Sequence, residues 1–157
     1  MPTVFDRIAR LRALVNAVAD RLKWLPPTVA RITIGWIFLQ SGWGKINNLP
    51  KVVAYFTELG IPAPLIQAPL AAGAEFVCGA LILVGLATRL ASLPLMIVMV
   101  VAIVTAKKGD IHELSDLLGM AEYLYIALLT YLAGYGAGPV SLDRILEKRL
   151  DRLSGKR

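Results

Sequence analysis

Residues Leu70–Leu86, LAAGAEFVCGALILVGL, run for seventeen positions with a single charged side chain, Glu75. At about 1.5 Å per residue, a helix of that length spans roughly 25 Å, close to the hydrocarbon thickness of a bilayer. A soluble helix with no polar face needs burial on every side, which a chain of 157 residues rarely supplies. The stretch therefore predicts a membrane-spanning helix. Glu75 is then its difficulty, because a carboxylate in lipid has to be paired, hydrogen-bonded or neutralised. Each remaining segment can be asked what it offers that acid.

The composition agrees with a membrane solvent. Hydrophobic residues make up 57% of the chain and charged ones 18%, and the mean hydropathy is +0.64. The length suits one domain of a few helices. The net charge of +6 sits mostly at the two ends, which points to an anionic lipid surface. Basic and aromatic residues do not interleave as a nucleic-acid platform requires, so no nucleic-acid partner is expected. One cysteine, Cys78, excludes an internal disulfide and a CxxC redox pair. One histidine, His112, excludes a haem held by two histidines of the same chain. No metal site is expected.

Working outward, Ile8, Leu11, Val15, Val18 and Leu22 recur at helical spacing between charges. Residues 1–26 therefore read as a basic amphipathic helix on the membrane face, ended by Pro26–Pro27. Thr28–Trp43 is the first span, with Arg31 one turn inside it and Gly35 and Gly42 on the same face for close helix approach. Residues 47–67 are too polar to span and suggest a short interfacial helix starting near Pro50 and ending before Gly60. The stretch 70–86 is the second span. Thr88–Arg89 turns it into an antiparallel third span, Leu90–Ala106, which has no charged residue and so suits lipid exposure. After a charged loop, 107–118, the fourth span runs over 119–138 and carries Glu122, with tyrosines toward both ends as an aromatic belt. Ser141 caps a second amphipathic helix.

The expected fold is thus all-α: an integral membrane four-helix bundle with amphipathic N- and C-terminal interfacial helices. Its divisions are 1–26, 27–139 and 140–157. Lys and Arg number five in 1–26, one in the 88–89 turn and six after Pro139, twelve on one side against four on the other. The positive-inside rule then places both termini in the cytoplasm, and the expected location is a bacterial or archaeal inner membrane.

Read together, several short pieces resemble the DoxX family of small four-helix membrane proteins. They are Arg31 with Gly35, SGWGK with Gly42 and Lys45, Gly60–Ile61–Pro62, Glu75 with Gly79, GLATR with Gly85 and Arg89, and GPVSLD with Asp143. Their order and spacing cover about residues 28–143. The resemblance implies a membrane bundle; some members of the family are subunits of thiosulfate:quinone oxidoreductase or associate with redox proteins.

Helical rise places Lys45 and Glu122 at one level near the outer face, with Glu75 and Gln40 about a turn below. A basic group, two acids and an amide would then face a small polar cavity. Lys45 could hydrogen-bond a quinone carbonyl or an anion while Glu75 or Glu122 exchanges protons. The plainer reading is that these charges neutralise one another and set helix register. Near the opposite face, Arg31 is expected to grip Asp143 as a structural ion pair. No intrinsic cofactor is expected and quinone is the candidate ligand. Two functions stay open: a membrane subunit of a quinone-linked redox system with a soluble or membrane redox partner, or a non-enzymatic scaffold or small-solute carrier. A homo-oligomer is left open by the sequence.

Overall fold

A computed structural model of the chain describes residues 4–153. They form eight α-helices: α1 (Val4–Leu22), α2 (Leu25–Asn47), α3 (Leu49–Glu58), α4 (Pro64–Val84), α5 (Thr88–Thr105), α6 (Leu114–Gly119), α7 (Ala121–Tyr135) and α8 (Leu142–Leu153). A single 3-10 turn, Lys108–Asp110, follows α5.

Pro26 and Pro27 do not simply end α1. They lie in the first turn of α2, where a missing N–H costs nothing and a fixed φ suits the helix. Helix α4 starts at Pro64, six residues before the expected span, and carries Pro69 inside it. The segment 64–67, read as part of the interfacial stretch, thus belongs to the long helix. The loop before α7 also holds more order than expected. Asp116 accepts the backbone N–H groups of His112 and Glu113, both at 3.0 Å, and these bonds hold its carboxyl below the usual carboxylate range. They cap α6.

Two helices, α4 and α5, are long and apolar enough to cross a bilayer by length and composition. Only 28% of the most apolar window of each is buried inside the chain, unlike the core helix of a soluble protein. On α5, Leu90, Leu93, Ile97, Val100 and Val104 all face outward. Such a surface has no stable place in water and matches a lipid solvent.

Helices α2, α4, α5 and α7 pack in that cyclic order, with α2 on α4 and α5 on α7 as the broadest contacts. The core at their centre comprises Ile34 and Phe38 of α2, Ile82 of α4, Leu95 and Met99 of α5, and Leu129 and Leu132 of α7. Tyr125, expected in an interfacial belt, instead meets Phe38 edge-on with ring centroids 5.9 Å apart. The α2–α4 contact is set by glycines. A Cβ at Gly42 would lie 2.7 Å from Phe76 Cα and 2.9 Å from Ala72 O, and one at Gly79 would lie 2.5 Å from Leu39 N. Backbone therefore touches backbone, as in close helix pairs within membranes. Neither α1 nor α8 packs broadly on this bundle, and both leave apolar faces exposed, among them Leu11, Leu14 and Val18 of α1 and Ile145, Leu146 and Leu150 of α8.

Candidate functional site

Glu75 sits in the middle of α4 and is fully buried, at 0% exposure. The glycine-mediated approach of α2 brings two partners to it. Ser41 Oγ donates to Glu75 Oε2 at 2.8 Å, and Lys45 Nζ forms a short ion pair with Oε1. Ser41 and Lys45 are four residues apart, so one helical face presents a hydroxyl and an ammonium to one carboxylate. The roughly 7 Å difference in height expected between Lys45 and Glu75 is bridged by the four-carbon stem of the lysine. Both carboxylate oxygens have donors, which answers the difficulty posed by a charge at this depth.

Lys45 is not sealed in: its side chain is 31% exposed. It opens into a cavity of about 840 Å³ whose walls are α3, α4 and α5. Val52, Phe56, Leu70, Ala74, Ile97 and Val98 make most of the wall apolar, while Lys45, Lys51, Glu75, Lys107 and Glu122 supply charge. Lys45, Glu75 and Glu122, the three charged residues singled out in the sequence, all line this cavity. Among the described residues Glu122 makes no ion pair with Lys45, so the two acids are not equivalent: Glu75 is compensated and Glu122 lines the wall without a charged partner in contact. A lysine ammonium has three donors, and Glu75 takes one of them.

Gln40 is a correction. It is exposed on the outer side of α2 and does not line the cavity. Rise per residue fixes height but not azimuth, and one residue along a helix turns the side chain by about 100°. The polar group that does reach Glu75 is the next residue, Ser41, which the sequence reading did not select. Its i, i+4 relation to Lys45 within SGWGK was the available signal.

The expected Arg31–Asp143 pair is a second correction. Asp143 spends its carboxylate on backbone: Ala87 N–H donates to Oδ1 at 2.8 Å and Thr88 N–H to Oδ2 at 3.4 Å, while Asp143 N–H donates to Gly85 O at 3.0 Å. This clip holds Ala87 at φ +49°, a left-handed conformation that an alanine adopts only under constraint, and it caps the first turn of α5. Asp143 still acts on Arg31 electrostatically, but no ion pair within 4.0 Å joins them among the described residues. Arg31 is 6% exposed, and its Nε and Nη1 have no hydrogen-bond partner. Its guanidinium occupies the space that a Cβ at Gly85 would take, next to Ser141. Ser141 does cap α8, its Oγ accepting Arg144 N–H at 3.3 Å.

These features define a helical membrane protein with a compensated acid–base pair at the floor of an apolar cavity. The chain belongs to the DoxX family, whose model matches residues 27–108. It is similar to the uncharacterized membrane protein Rv3486 of Mycobacterium tuberculosis, 38% identical over 79% of this chain and 84% of that one. It is also similar to CatD of Bacillus subtilis, provisionally named as an oxidoreductase, 30% identical over 75% of this chain and 84% of the relative. A third relative is the inner membrane protein YqjF of Escherichia coli, 29% identical over 77% of this chain and 92% of its own. No solved structure matches the chain.

Proposed function

We propose that this protein is a four-span subunit of a quinone-linked redox system in the cytoplasmic membrane, and that the cavity beneath α3 receives the quinone head. The observation that carries the reading is the combination of largely apolar walls with a partly exposed ammonium, that of Lys45, anchored by a buried carboxylate. Pockets of this size and composition suit an apolar ligand oriented by a few polar groups. The residues fit a quinone: Lys45 holds a carbonyl oxygen through a free donor, the apolar walls take the ring and the start of the tail, and Glu122 is the open acid for proton exchange. The quinone would supply two-electron chemistry, with electrons coming from a partner protein. The name of the B. subtilis relative supports the redox assignment, and that of the E. coli relative supports the inner membrane. In this reading α2 and α7 cross the membrane beside α4 and α5.

The test is quinone retention. The wild-type protein purified in mild detergent from native membranes should carry extractable quinone. Ala102→Trp, which narrows the cavity from its α5 wall, should reduce it at least fivefold at unchanged thermal stability. Equal retention in both proteins, or none in either even after quinone is added, would overturn the assignment.

The charge split also orients the protein, with both termini cytoplasmic. Cysteines placed at Thr57 and at Arg149, in a Cys78→Ala background, should differ in labelling by a membrane-impermeant thiol reagent on intact cells. Position 57 alone should react; labelling at 149 alone would invert the topology.

A further inference from the structure

A second cavity, of about 580 Å³, opens at the other end of the bundle, where α5 begins, α7 ends and α8 leaves. It shares no residue with the cavity that holds Lys45. Its charged lining is Arg89 from α5 and Asp143, Arg144 and Glu147 from α8. These four are not equally free. Asp143 is occupied by the amides of Ala87 and Thr88, and Arg144 is shared with Glu147 at 3.5 Å. Arg89 has no hydrogen bond or ion pair among the described residues. It lies across the end of α7 because residue 136 is glycine: a Cβ there would sit 3.1 Å from Arg89 Nε.

What surrounds Arg89 indicates the ligand. The next residue, Leu90, also lines the cavity and is 71% exposed. From it an exposed apolar stripe runs down α5 through Leu93 and Ile97, at i, i+3 and i+7, which is one helix face. Tyr135 stands at the rim, 71% exposed, an amphipathic ring of the kind enriched where membrane meets water. A free cation at the head of a long apolar track calls for an anionic head attached to an apolar tail. A soluble anion would leave the track unused.

We infer that this cavity binds the phosphate of a membrane phospholipid, with Arg89 as the main phosphate ligand, Arg144 as a second, and the acyl chains starting along Leu90 and Leu93 of α5. Guanidinium groups suit the task because their planar fork meets phosphate oxygens in pairs. The clip through Asp143 pins the start of α8 above the cavity, so a bound lipid would also fix how α8 leaves the bundle.

The experiment is native mass spectrometry of the purified full chain in detergent, with dioleoyl phosphatidylglycerol added in steps. The wild type should retain one lipid, and Arg89→Gln should lower retention at least fivefold. Arg89→Lys should recover part of the loss. Leu90→Gln, which keeps the arginine and breaks the track, should also lower retention. Inorganic phosphate at millimolar concentration should not displace the lipid. Undiminished retention in Arg89→Gln would overturn the inference. Displacement by phosphate, with Leu90→Gln behaving as wild type, would reassign the cavity to a soluble anion and overturn it too. Because Arg89 is exposed and the quinone cavity lies elsewhere, quinone retention should be unchanged in all of these variants.

Discussion

Lys45→Met should lower the stability of the detergent-solubilised protein by about 3 kcal/mol, at the lower end of what breaking a buried ion pair costs. That corresponds to a fall of roughly 10 °C in thermal midpoint for a chain of this size. The effect is large because the substitution leaves Glu75 fully buried with only the Ser41 hydroxyl as a donor. An uncompensated carboxylate at that depth has to take up a proton or draw in water, and both destabilise the native state. Lys45→Met combined with Glu75→Gln should recover a substantial part of the loss, since an amide keeps the hydrogen bond with Ser41 and carries no charge. The coupling energy in that double-mutant cycle is the measurement. Strictly additive losses would show that the contact does not hold the two residues together. The same cycle with Glu122→Gln in place of Glu75→Gln should show little rescue, because Glu122 forms no ion pair with Lys45 among the described residues.

The second large effect is expected at the α2–α4 contact. Gly42→Leu should abolish folding or reduce the yield of folded protein severely, and even Gly42→Ala should cost about 3 kcal/mol, the upper end of ordinary overpacking penalties. The reason is geometric. The Cβ would meet the backbone of Phe76 and Ala72, and backbone cannot move aside as a flexible side chain can. Separating the helices to make room would also pull Ser41 and Lys45 away from Glu75, so packing and electrostatics would fail together. Gly73→Ala is the control: it lies in α4, the other helix of the same contact, with nothing within 4 Å of its added Cβ. It should leave stability unchanged or raise it by up to about 1 kcal/mol, since glycine is a poor residue for a helix interior. Thermal denaturation of the three variants in one detergent decides the matter. Similar losses for Gly42→Ala and Gly73→Ala would mean that helix propensity, rather than close approach, governs this contact.

Much of this architecture is legible in one dimension. Hydropathy is summed along the chain and helical rise is fixed, so the apolar stretches beginning near Leu70 and Leu90 announce two crossings, and α4 and α5 are found there. Pro50 and Gly60 bracket α3 for the same kind of local reason. Gly35 and Gly42 could be read as contact points because only glycine leaves a helix surface flat enough for another backbone; the facing Gly79 shows as one only once α2 and α4 are packed. That Glu75 needed a partner, and that Lys45 stood near the right height to provide one, followed from the cost of burying charge.

What tertiary structure alone decided is which groups at a given height face one another. Height comes from residue number, but azimuth relative to a neighbouring helix depends on how the two are rotated when they pack. Ser41 rather than Gln40 therefore meets Glu75, and Glu122 lines the cavity wall without pairing. Competition for a partner is likewise invisible along the chain. Asp143 had an arginine nearby and still spends its oxygens on the amides of Ala87 and Thr88, because the first turn of a helix leaves N–H groups that must find acceptors once water is excluded. Charge, span and small-residue contacts belong to the sequence of this protein. The pairing of its polar groups belongs to the packed bundle, where each donor and acceptor is settled by every neighbour at once.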